Sequence, residues 1–199
     1  MNAGLPKIMG GKLVITLFLE QTMSPEPILI THELAHFIIK LQGVKGVVDF
    51  KPFSNSAQIQ ASLNSFAQHR AVYALQRRYN QDPQAMIDRR TKLNTLSLSN
   101  SHEPYDKQTQ IERALLLCDD LLNCSQENYA IMQDALARHE QTNNLVKSVL
   151  SIASSFDLTN LEEITPFCLK SINDLDLGEQ WVVIDEVNGW KEEANRLGN

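Results

Sequence analysis

The chain is poor in cysteine: of 199 residues only Cys118, Cys124 and Cys168 carry a thiol. An odd number without a Cys-x-x-Cys pair excludes a disulfide framework and a thiolate zinc site, and reads as buried thiols in a reducing cytoplasm. No apolar run approaches the roughly 18 residues that span a bilayer. The N-terminal residues have none of the basic region, apolar run and cleavage site of a secretory signal. There is no internal repeat and no low-complexity tract. The expectation is a soluble cytoplasmic protein without a membrane partner.

Against these absences stands a hydrophobic content of 43%, enough for a real core. The length fits one domain, or a small catalytic part with a helical extension. The net charge of −6 is unevenly spread. Residues 1–100 carry a net of +5 and residues 101–199 a net of −11. Two solvated faces account for this. The sharper alternative is a nucleic-acid surface on the basic 70–92 segment, built from Arg70, Arg77, Arg78, Arg89, Arg90 and Lys92. Those residues lack interleaved aromatics and a recognisable nucleic-acid fold, so the solvated face is preferred.

The richest stretch is His32-Glu33-Leu34-Ala35-His36. On a helix, residues i and i+4 share a face one turn apart, so both imidazoles can reach one Zn²⁺ at about 2.0–2.1 Å. Glu33 then leans toward the open coordination position, where a carboxylate can act as general base on the water the metal activates. With five His in the chain, a chance match of this pattern is expected fewer than about 0.01 times. The bland alternative is a pair of ordinary core histidines. Apolar flanks, Ile28-Leu29-Ile30 before and Phe37-Ile38-Ile39 after, put the motif on a buried helix. Ser24 reads as its N-cap, Pro25 as its first residue and Gly43 as its stop.

Further elements follow by pattern. Gly46 to Phe50 reads as a short strand, and Ser56 to Asn80 as a helix with Ile59, Leu63, Phe66, Tyr73 and Ala74 on its apolar stripe. Another helix opens at Asp82-Pro83 and runs to about Leu93. Thr95 to Tyr105 reads as a long Ser/Asn-rich loop between the charge halves. Helices follow near 107–123, 126–140, 143–156 and 160–173, the last with a capping signature in Asn160 and Glu163. The tail from Gln180 to Asp185 reads as a strand or the start of a last helix.

Thr31 to Phe37 resembles the active-site helix of the zincin metallopeptidases. More narrowly it is similar to the short soluble zincin-like proteins of bacteria, of which the ImmA/IrrE type is the best known. Gly43 follows without the further His of a metzincin extension. Together with the helical pattern above, the resemblance predicts a mainly α (α+β) fold. Residues 1–100 would form a small zincin-like strand-plus-helix core, packed against a helical extension over 101–199. It also implies a sheet strand along the substrate cleft, for which Lys12 to Glu20 is the candidate.

Catalytic zinc takes three protein ligands and leaves a fourth position to water. In helical zincins the third commonly comes from a following helix. His69, 33 residues after His36 and at the edge of the second helix's apolar stripe, is the leading candidate. Glu112 is its rival, a carboxylate in the otherwise apolar run Ile111 to Leu117, where burial would demand a partner. His102 and Glu103 in the loop are weaker candidates, and His139 reads as a solvated helix-end residue. The expectation is a zinc metallopeptidase acting on a protein or peptide. The alternative is a catalytically silent zincin-fold module that binds protein or DNA. The acidic C-terminal helices are expected to cover the motif helix and to offer a protein partner a surface.

Overall fold

A computed structural model describes residues 2–3, 7–9, 12–14, 17–18, 26–49, 56–102, 106–178 and 181–187. The protein is mainly helical. In chain order the elements are β1 (Asn2–Ala3), β2 (Lys7–Met9), β3 (Lys12–Val14), β4 (Leu17–Phe18), α1 (Pro27–Leu41), β5 (Gly46–Asp49) and α2 (Ser56–Arg78). Then come α3 (Gln84–Ser99), α4 (Lys107–Asn123), α5 (Gln126–Leu136), α6 (Glu140–Ala153), α7 (Leu161–Asp174) and β6 (Trp181–Ile184). The strands form three antiparallel pairs, β1 with β4, β2 with β3, and β5 with β6.

The motif helix α1 begins later than its sequence suggests. Glu26 is its N-cap in extended conformation, so Pro27 takes the first-turn position where a missing N–H costs nothing. Ser24 and Pro25 lie outside the described residues. Its end is as expected. Gly43 has φ +106°, its N–H donates to Lys40 O at 3.0 Å, and Val44 N–H donates to Ile39 O at 3.2 Å. That is a Schellman closure, for which a residue without Cβ is best suited.

Of the cleft strand expected over Lys12 to Glu20, only 12–14 and 17–18 are described, as β3 and β4. Among the described residues the strand that borders the motif's cleft is β5, which follows α1 in the chain rather than preceding it. Thr95 does not open a loop: α3 runs on to Ser99, its buried Ile87, Thr91, Thr95 and Leu98 holding one stripe together. Ala74, expected on the buried face of α2, is exposed. His139 is no solvated end but the N-cap of α6, only 6% exposed, because α5 stops at Leu136.

A single core cluster draws on both halves of the chain, from Ala35 to Leu175. Its axis is α2, which packs against α1, α4, α7 and β5. This explains its burial nearly all round, with Leu63, Ala67, Val72 and Tyr73 at 0% exposure. The C-terminal helices were expected to cover the motif helix. Instead α4 and α7 back α2, and α2 in turn backs α1. No described helix is long and apolar enough to cross a membrane.

Phe167 of α7 is fully buried and meets Phe66 and Phe156 edge to face, at centroid distances of 5.3 and 5.8 Å. Phe167→Ala is expected to cost about 3–5 kcal/mol in urea denaturation. A loss below about 1 kcal/mol would show that α7 is not part of the common core.

Candidate metal centre

One turn of α1 carries His32 and His36, and the facing turn of α2 carries His69. Their ring centroids are 4.9 Å apart for His32 and His36, 5.1 Å for His32 and His69, and 5.3 Å for His36 and His69. Each offers one ring nitrogen, and the three atoms lie within 4.8 Å of one another. A tetrahedral ion would draw them to about 3.4 Å, a closure within the range of small side-chain rotations. The structure thus brings the leading third candidate to the motif helix. Glu112 is not in the group. It stands seven residues before Asp119 on the same face of α4, two turns or about 10.5 Å further along the axis. There it borders separate hollows with Asn94, Arg113 and Gln58. His102 is exposed in the loop and Glu103 lies outside the described residues.

All three imidazoles are held from behind. His69 Nδ1 meets Asp119 Oδ2 at 2.5 Å, His36 Nδ1 meets Gln68 Oε1 at 3.0 Å, and His32 Nδ1 faces Gln76 Oε1 at 3.4 Å. The direction of the last is fixed by its other end. Gln76 Nε2 donates to Ile28 O at 3.1 Å and to Thr31 Oγ1 at 3.2 Å, so Oε1 is left as acceptor. An oxygen acceptor stands at every Nδ1, so each ring, when neutral, carries its proton there and its lone pair on Nε2. Outer groups that orient metal-binding histidines work in this way.

Asp119 is itself anchored. It is 4% exposed, its Oδ2 pairs with Arg90 at 2.8 Å, and its Oδ1 accepts from Asn123 Nδ2 at 2.9 Å. Arg90 also donates from Nε to the fully buried Asp120 at 2.6 Å and from Nη1 to Tyr73 Oη at 3.0 Å. Tyr73 in turn stacks on His69 at 5.2 Å. Arg90 therefore leaves the proposed basic surface and becomes part of a buried ion network. Arg70, Arg77, Arg78, Arg89 and Lys92 remain exposed.

Burial dominates the electrostatics. It lowers the His32 pKa to about 4 and that of His36 well below its ordinary value, with the neighbouring His69 adding to both. Burial raises the Glu33 carboxyl. For Asp119 the upward push of burial is outweighed by His69 and Arg90, so its carboxyl falls below the usual range. The open side of the cluster is a cleft of about 510 Å³, bordered by the three histidines, Glu33, Lys40, Gly46 and Glu186 among others.

Gln68, Gln76, Asp119 and Arg90 were not singled out as site residues from the sequence. The signal for Asp119 and Asp120 was present, two carboxylates inside the apolar run from Leu115 to Leu122. Compared with models of protein families, with curated proteins and with solved structures, the chain matches none.

Two outcomes follow from this geometry. Unfolded histidine titrates near 6.5 and folded His32 near 4, so in this window the unfolded chain binds more protons. Metal-free protein should lose stability as pH falls from about 6.5 to 4, measured by urea denaturation, and the slope should flatten in His32→Gln. A flat wild-type profile would contradict the burial argument. Asp119→Asn should weaken zinc binding by about 10–100-fold in chelator competition, because His69 loses its orienting charge. Unchanged affinity in the folded variant would remove Asp119 from the site.

Proposed function

We propose that the chain is a zinc-dependent hydrolase of the zincin-like kind, cleaving peptide bonds, with His32, His36 and His69 as the metal ligands. The observation that supports this most is the shared orientation of three imidazoles, each with an oxygen acceptor at Nδ1. Core histidines without a ligand have no need for three ring nitrogens within 4.8 Å of one another. The donor set is three neutral nitrogens, which suits Zn²⁺ among first-row metals. Zinc bound there would activate a water molecule and polarise a carbonyl.

The rest falls to the chain's own residues. Glu33 follows His32 on the same helix and borders the same cleft. Its carboxyl, raised by burial, is suited to accept a proton from the attacking water and return it to the leaving amine. Asp119 and the two glutamines hold the histidines, so the site is set before any substrate arrives.

Protein purified without chelator should contain about one zinc per chain, and His69→Ala should lose it, as read by elemental analysis. Glu33→Gln should keep the metal and lower hydrolysis by about 10²–10⁴-fold. Zinc without any cleavage in the wild type would favour the silent, partner-binding form of this fold. Sub-stoichiometric zinc in folded protein would end both readings.

A further inference from the structure

The two edges of β5 are satisfied differently. On the α2 side, side chains take the place of a strand. Asn64 Nδ2 donates to Val47 O at 2.8 Å, Asn64 Oδ1 accepts from Val47 N–H at 3.0 Å, and Gln60 Oε1 accepts from Asp49 N–H at 3.0 Å. Backbone groups of successive strand residues point to alternate sides, so Gly46 and Val48 turn the other way. There β6 meets them, with Ile184 opposite Gly46 and Val182 opposite Val48.

This second strand is thinly held. Three of the four β5 residues are buried, whereas none in β6 is, and Val182, Val183 and Ile184 are 39, 41 and 37% exposed. Segments with so little buried surface belong to the low-stability end of a fold. Beyond Ile184 the chain enters the histidine cleft. Lys40 Nζ donates to both oxygens of Glu186, at 3.1 and 2.8 Å, and Glu186 lines the cleft with His32, His36 and His69. A methyl group placed on Gly46 would lie 3.5 Å from Glu186 Oε1. A longer ion pair, Lys45 to Asp185 at 3.9 Å, also involves this segment.

We propose that residues 181–186 are the resident occupant of a peptide groove formed by the β6-facing edge of β5 and Lys40. An extended apolar peptide with a carboxylate just beyond it takes their place. Strand addition supplies the affinity through Gly46 and Val48, and Lys40 reads the carboxylate. Exchanging one such strand for another conserves the backbone hydrogen bonds and the ion pair, although a free peptide must displace a tethered segment whose Trp181 Nε1 donates to Leu177 O at 3.1 Å. The inference rests on the proposed hydrolase only for the fate of the bound peptide, since binding itself needs no zinc.

The test uses the full-length protein, zinc-free and zinc-loaded, and a labelled hexapeptide with the sequence of residues 181–186. Glu186→Gln loosens the resident strand and should bind the peptide about fivefold tighter than wild type in both states. Adding Lys40→Ala should lose that gain, and the peptide with Gln for its terminal Glu should bind correspondingly weaker. In Glu186→Gln the Val182 and Ile184 amides should exchange hydrogen faster while those of α2 stay protected. Peptide binding to the zinc-loaded protein without any hydrolysis would count against the proposed function and leave the groove standing. No binding, equal affinity across the variants, or β6 amides as protected as those of α2 would overturn the groove.

Discussion

The hydrogen bond between His69 and Asp119 joins the chemistry of α1 to the body of the fold. A buried carboxylate is tolerable only with partners, and Asp119 has three, His69, Arg90 and Asn123. Arg90 ties it to Asp120 and Tyr73, and Asn94 Nδ2 completes Asp120 at 2.7 Å. Helices α2, α3 and α4 are therefore locked together by the same network that orients one histidine. Removing a member of such a network leaves a buried charge uncompensated, at a cost of about 3–5 kcal/mol. Position of the histidine and stability of the core are one constraint.

The glutamines extend the arrangement to α1. Gln76 is 2% exposed and Gln68 3%, and each spends an oxygen on a histidine of the facing helix. Buried amides are costly unless bonded, so their presence between α1 and α2 is accounted for by the histidines they hold. The α1–α2 interface is thus polar where it faces the cleft and apolar behind it, through Ala35 and Ile39.

What was legible in the sequence follows from this division. Local rules worked where the local chain decides: the ends of α4, the Gly43 stop and the Asn160 cap of α7, whose Oδ1 accepts from Glu162 N–H at 3.2 Å. They failed where distant packing decides. Thr95 and Ser97 look like loop residues, yet the buried stripe of α3 carries the helix past them. A carboxylate in an apolar helix needs a partner, and on α4 this holds for the buried Asp119 and Asp120 rather than for the half-buried Glu112. Glu112 and Asp119 lie on one face of α4, and only the packing of α4 on α2 sets which level meets His69. The cleft strand was sought before the motif because of a resemblance, while hydrogen bonding to Asn64 and Gln60 fixes β5 after it.

The proposed site requires three Nε2 atoms to meet at one ion. X-ray absorption at the zinc edge of the loaded protein reads this directly. The expected spectrum shows three imidazole nitrogens and one oxygen at about 2.0–2.1 Å without sulfur, and the zinc signal should be lost from His69→Ala. A spectrum with fewer imidazoles in the wild type, or one unchanged by His69→Ala, would contradict it.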